Sequence, residues 1–173
     1  MTQQIRITEA GREDAELVAD LCHRTFYDSF AVYNSPENMD LYLNHQATRE
    51  MQMAAVGEPG RIFLLAWRGD EPAGYVSLRE SPAPPGLQDV ASIEIQQIYS
   101  EQKMIGKGVG KALMQRSLEI AREKGKEWIW LGVWEHNIRA IGFYTKWGFE
   151  RFGEHGFTLG KDHQTDWLMK KKL

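Results

Sequence analysis

The chain has one cysteine, Cys22, so it can form no internal disulfide. It has no apolar run long enough to span a bilayer. Met1–Ala10 lacks the apolar stretch of a secretory leader, so no membrane partner is expected and the cytoplasm is the expected compartment. Positive charge is not in excess: 21 Lys and Arg face 24 Asp and Glu, a net charge of −3, which argues against a general nucleic-acid binder. The five histidines form no metal-ligand spacing. His155, Asp162, His163 and Asp166 lie close in sequence but fit no template, so they read as surface and turn residues and no metal is expected. There is no repeat and no linker. A chain of 173 residues is long enough for a sizeable core and is expected to form one domain over 1–173.

What is present alternates between strand and helix periods. Ile5–Thr8 reads as a short strand. Leu17, Val18, Leu21, Cys22, Phe26 and Phe30 fall at helical spacing within Glu13–Phe30. Cys22 shares that apolar face, where a free cysteine packs as a small hydrophobe. Ser35-Pro36-Glu37 is a helix start, with a Ser cap, Pro at the first position and an acid in the first turn. That helix is expected to run to about His45, and Thr48 caps another that ends at Gly57. Arg61–Arg68 and Ala73–Glu80 are strands joined by a Gly69–Pro72 turn. Ser81–Gly86 is proline-rich and reads as an exposed loop. Ala91–Tyr99 is the next strand, and a helix from Gly108 stops at Gly125. Trp128–Trp134 is a strand with Trp128, Trp130, Gly132 and Trp134 on one face; Gly132 leaves room there for a ligand. Ile138–Trp147 is a helix. Phe149–His155 and Thr165–Lys170 are final strands around a Gly156–Gln164 loop. This order predicts an α/β fold, a mixed sheet with helices on both faces.

Between the strand at Ala91–Tyr99 and the following helix lie Gly106, Gly108 and Gly110, with Lys107 and Lys111 among them. A glycine loop running into a helix N-terminus leaves backbone N–H groups without partners and a positive dipole end, which suits phosphate. Neither nucleotide motif fits. The dinucleotide fingerprint needs glycine where Lys111 stands, and the P-loop needs wider glycine spacing and a hydroxyl residue where Ala112 stands. By itself the loop also reads as a tight turn before a helix.

Downstream, Asn137, Ala140, Phe143, Tyr144, Gly148 and Phe149 form the pattern N-x-x-A-x-x-F-Y-x-x-x-G-F. The glycine loop followed by this pattern resembles the GNAT N-acetyltransferases. The resemblance spans essentially the whole chain and implies their mixed, mostly antiparallel sheet and acetyl-CoA as the acetyl donor. It implies that Ile105, Gly106, Lys107, Gly108, Val109, Gly110 and Lys111 hold the CoA pyrophosphate. Gln97, Ile98 and Tyr99 would pair through their backbone with the pantetheine, which enters where the strands at Ala91–Tyr99 and Trp128–Trp134 splay apart. Asn137, Ala140 and Phe143 would flank it, and Lys146 would reach a phosphate. Ile105 departs from the family, which usually has Gln or Arg there; only its backbone N–H can serve a phosphate.

Direct transfer needs an amine that loses a proton and a leaving thiolate that gains one. A tyrosine hydroxyl keeps its proton at neutral pH, so Tyr144 suits the second task. Outside this pattern it would read as a core tyrosine. Glu94 shares a strand face with Gln96 and is a candidate base acting through water; it reads as well as a solvated carboxylate. Gln96 can orient water or substrate. Asn137 also reads as a helix cap.

Three further stretches, Asn34–Met39, Ile129–Glu135 and Gln164–Asp166, resemble the Pai-type spermidine/spermine acetyltransferases. They imply a polyamine acceptor held by Asp28, Glu37, Asp40, Glu94 and Gln96 and by the faces of Tyr33 and Trp134. A different amine acceptor and a weakly catalytic CoA-binding regulator stay open, as does a homodimer.

Overall fold

Strand alternation decides which helix covers which face of the sheet. In β2 (Arg61–Arg68), Leu64 and Ala66 face one layer while Phe63 and Leu65 face the other. The computed structural model describes residues 3–173; Met1 and Thr2, the first residues of the stretch read for a leader, lie outside the described residues. The other strands are β1 (Ile5–Glu9), β3 (Glu71–Arg79), β4 (Ser92–Ser100), β5 (Trp128–Trp134), β6 (Glu150–Leu159) and β7 (Asp162–Lys172). They form one seven-stranded sheet in the order β1-β2-β3-β4-β5-β7-β6. Only β4 and β5 run parallel; all other neighbours are antiparallel.

Two helices, α4 (Val109–Glu123) and α5 (Ile138–Lys146), cover one face. Leu113 and Met114 of α4 are fully buried there, each stabilising the packing by about 2 kcal/mol. The other face carries α1 (Ala15–Phe30), α2 (Pro36–Leu41) and α3 (Arg49–Ala55). The expected caps are formed: Ser35 Oγ accepts from Asn38 N at 3.1 Å and Thr48 Oγ1 from Met51 N at 3.2 Å.

Four local expectations are corrected. The helix after Pro36 does not run regularly to His45: Tyr42–Gln46 is a π-helical turn closed by Ala47 N donating to Tyr42 O at 2.7 Å. The Gly69–Pro72 turn is tighter, because Arg68 already pairs with Glu71; Pro72 sits at a register shift, where a missing N–H costs least. Ser81–Gly86 is only partly exposed. Just past it, Leu87 is buried against Trp130 and Leu168, so the segment folds onto the sheet. The Gly156–Gln164 loop is strand: β6 and β7 pair as far as Leu159 and Asp162, and Gly160 at φ +64° takes the tight turn. Asp162 and His163 therefore stand on a strand rather than in a loop, and His155 and Asp166 stand within the strands expected to hold them.

Candidate active site

The sheet opens at the parallel pair of β4 and β5. β4 pairs with β5 from Ser92–Ile95 to Trp128–Leu131 and no further, although β4 continues to Ser100 and β5 to Trp134. Opposite the opening, the β3–β4 register shifts between Ser77 and Leu78, leaving Gln96 as the extra residue. A bulge bends its strand, which turns the rest of β4 away from β5. From Gln96 onward the β5 side of β4 has no strand partner. Ile98 packs into the core under α4, while Tyr99 lies on the α1 face, 6.1 Å from the ring of Tyr75.

Below the opening is the glycine loop. Gly106 and Gly108 take φ of +79° and +87°, and a Cβ built on either meets nothing within 4 Å. Gly108 caps α4 with no side-chain bond, and no acid stands in the first turn. The backbone N–H groups of Val109, Gly110 and Lys111 thus face open space at a positive dipole end and can receive an anion. Lys107 and Lys111 are exposed beside them, and so is Ile105. Val109 offers its backbone alone, because its side chain is buried against Gly74. The loop is held from both sides. Met104 is buried in the core, and Glu101, also buried, accepts from Arg24 Nε at 2.9 and 3.1 Å.

The α5 wall of the opening carries the second motif. Asn137 Oδ1 accepts from Ala140 N at 3.3 Å, so the residue is the helix cap. Phe143 lies 3.5 Å from where a Cβ of Gly110 would stand, which brings α5 close to the glycine loop. Lys146 is exposed. Tyr144 is buried between Phe143 and Phe149, at ring distances of 5.6 and 5.9 Å. Burial raises its hydroxyl far above the usual phenol range. Tyr99 is raised as well, first by burial and then by the neighbouring Tyr144.

The α1 face of the opening is acidic and aromatic. Glu94 is not the solvated carboxylate that the sequence allows. It is 7% exposed, and its Oε2 accepts from Arg79 Nε and Nη2, both at 2.8 Å, and from Ser81 Oγ at 3.1 Å. Gln96 Oε1 accepts from Arg61 Nη2, and Ser77 Oγ lies 3.5 Å away. Tyr33 and Trp134 pack 5.2 Å apart, and Phe30 joins Trp134 to Tyr99 at 6.2 and 6.4 Å. Of the acids expected to meet a cation, Asp28 is exposed on α1, Asp40 accepts from Asn44 Nδ2 at 2.7 Å, and Glu37 already pairs with Lys161 at 3.0 Å.

Three side chains at this face were not legible as site residues. Arg79 fixes Glu94. Asp166 sits beside Trp134 in the β5–β7 register, and His155 Nε2 lies 3.3 Å from its Oδ2. The room beside Gly132 is filled by these two: an added Cβ would stand 3.2 Å from His155 Nε2 and 3.5 Å from Asp166 Oδ2. The stretches around Asn34, Trp134 and Gln164 also converge. Gln164 Nε2 donates to Asn34 Oδ1 at 2.8 Å, and Lys161 N donates to Asn38 Oδ1 at 2.8 Å. Gln46 makes two bonds to the backbone of Gly160, at 2.9 and 3.0 Å. Among the described residues no three His, Cys, Asp or Glu side chains are grouped as metal ligands, and no helix is long and apolar enough to cross a membrane.

The family model described as "Acetyltransferase (GNAT) family" matches residues 20–149. An uncharacterized N-acetyltransferase of Lactobacillus delbrueckii subsp. lactis is 37% identical over 173 residues, covering 98% of each chain. A solved PaiA N-acetyltransferase from Thermoplasma acidophilum, in complex with coenzyme A, is similar in fold with a TM-score of 0.79. The identity is 20%, over 98% of this chain and 99% of that one. The protein yncA of Salmonella typhimurium, solved with its cofactor acetyl-CoA, has a TM-score of 0.69 at 19% identity, over 98% and 94%.

Proposed function

Because the chain belongs to the GNAT acetyltransferase family and is an acetyl-CoA-dependent N-acetyltransferase, we propose that it acetylates a primary amine of a polyamine such as spermidine or spermine by direct transfer. Acetyl-CoA supplies a thioester carbonyl that an amine can attack. The residues on either side of the β4–β5 opening fit that molecule. The open cradle before Gly106 and Gly108, with Lys107 and Lys111 beside it, fits a pyrophosphate. The strandless edge of β4 at Gln97, Ile98 and Tyr99 fits the pantetheine amides as a further strand would. Asn137, Ala140 and Phe143 form the opposite wall, and Lys146 is a free cation near the rim. Tyr144 keeps its proton because burial raises it, so it can give that proton to the departing sulfur. Glu94, tied to Arg79 and Ser81, holds the shape and charge of the acceptor side, and Gln96 orients polar groups there.

One observation carries the polyamine reading. The three stretches that resemble the Pai-type enzymes are far apart in sequence yet meet on the acceptor face. There Asp166 is the register partner of Trp134, whose half-buried ring packs 5.2 Å from the exposed ring of Tyr33. Carboxylates with aromatic faces suit a long polycation. Glu37 supports it indirectly, through Lys161 and the β6–β7 turn, rather than by meeting the amine.

Thiol release from acetyl-CoA, measured with a panel of amines, tests this. Spermidine or spermine should give a kcat/KM well above that of a monoamine, with a KM that rises with salt as charge pairing is screened. A peptide N-terminus or an aminoglycoside outcompeting both polyamines would replace the acceptor and leave the acetyltransferase standing.

Ile105 gives a smaller prediction. The residue is 41% exposed. Ile105→Gln should bind CoA at least as tightly as the wild type by calorimetry, since an amide at that place can add a hydrogen bond. A tenfold loss would mean that the aliphatic side chain itself holds the loop.

A further inference from the structure

We propose that His155, oriented by Asp166, is the group that takes the proton from the acceptor amine. The inference rests on acetyl transfer and not on which amine is used. Glu94, Asp166 and the imidazole of His155 stand near one another on the acceptor face, and their surroundings differ. Glu94 is already committed: one of its oxygens takes three donors from Arg79 and Ser81, and the carboxylate is buried against that guanidinium. Asp166 is committed to His155 at 3.3 Å. The imidazole is the remaining group with an open side. With Nε2–H donating to Asp166, Nδ1 is the unprotonated nitrogen, and the side chain is 47% exposed.

Its position meets the requirement of reach. Gly132 is the first residue of β5 past the pairing with β4. Any side chain there would crowd His155 Nε2 and Asp166 Oδ2. The glycine thus lets the pair reach across β7 from the edge strand to the lip of the opening. Register reinforces this, because His155 and Asp166 are direct cross-strand partners on one face.

The charges around the imidazole favour its role. Asp166 faces it from β7 and Glu94 from β4, while β5 brings Gly132 against it. Behind Asp166 stand the hydroxyls of Tyr42 and Tyr99. The hydrogen bond to Asp166 raises the His155 pKa, burial opposes it, and the charges of Asp166 and Glu94 raise it further. A raised imidazole is a stronger base, and it loses its proton to solvent between turnovers.

The step balances. The ammonium gives one proton to His155 Nδ1, and the free amine forms the C–N bond as the C–S bond breaks. The sulfur takes a proton from Tyr144. The second nitrogen proton, lost as the amide forms, restores that hydroxyl through solvent. One proton is released overall.

The test begins on the free protein. In an NMR titration of the imidazoles, His155 should titrate above the usual histidine range, and Asp166→Asn should move it down. With an amine that the enzyme acetylates, kcat/KM should fall as pH drops through the same value. His155→Gln should abolish that acid limb and lower kcat by roughly 10²–10³-fold, with the CoA affinity unchanged by calorimetry. Asp166→Asn should keep the limb but shift it to lower pH. Glu94→Gln should keep the limb and move it to lower pH by less than Asp166→Asn does, because its charge is the smallest of the causes that raise His155. An acid limb that survives in His155→Gln, or one that disappears in Glu94→Gln, would overturn the assignment. So would a His155 titration that Asp166→Asn does not move.

Discussion

Replacing Tyr144 by phenylalanine should lower kcat by roughly 10²–10⁴-fold, the usual worth of a positioned acid–base group, and leave CoA affinity nearly unchanged. The substitution is clean for a structural reason. The ring packs against Phe143 and Phe149 in the core under α5, and phenylalanine keeps those contacts. Only the hydroxyl is lost. Burial holds that hydroxyl protonated far beyond neutral pH, so wild-type activity should show no loss from its ionisation across the physiological range. Single-turnover kinetics must establish that the chemical step limits the rate. If it does and kcat is unchanged, Tyr144 is a packing residue and the sulfur is protonated by something else.

Gly108→Val should weaken CoA binding by about 100-fold or more while the protein stays folded. Two effects add. Valine is strained at φ +87°, where an L-residue loses about 1–2 kcal/mol and a β-branched one more. Its side chain would also fill the space before the α4 N-terminus, which is open to 4 Å around Gly108. An anion could then no longer reach the backbone N–H groups there. Each 1.4 kcal/mol is a factor of ten in affinity. The helix itself should survive, because Val109, Leu113, Met114 and Leu118 anchor it in the core. Gly110 differs: it is helical, and a Cβ there would meet Phe143 at 3.5 Å, an ordinary contact. Gly110→Ala should therefore cost much less. Calorimetry that finds normal CoA binding in Gly108→Val would remove the loop from the cofactor site.

Much of the fold was legible because its signals are local. The caps at Ser35 and Thr48 and the stop at Gly125 depend on side chains within a few residues of the backbone they serve. The alternation in β2 and β5 and the helical stripe of α4 depend on a single buried face. The strand ends after Gly148 were misjudged for the complementary reason. Gly156, Gly160 and the polar residues around them look like a loop, but pairing between β6 and β7 supplies the hydrogen bonds that composition does not announce. His155 and Asp166 acquire a shared face only once β6 and β7 are paired.

The sequence by itself determined the half of this protein proposed to hold the cofactor. Three alternating glycines with two lysines, and the N-x-x-A-x-x-F-Y pattern, are contiguous segments whose backbone requirements and side-chain spacing are written into the residues themselves. Only the tertiary structure decided the half proposed to hold the acceptor. The bulge at Gln96 exists because β3 and β4 fall out of step, and the opening beside Gly132 because β4 and β5 part after four residue pairs. Whether Glu94 is free or paired depends on Arg79, a strand away and fifteen residues earlier. Charges of this kind act through distance in space, and sequence separation carries no record of it.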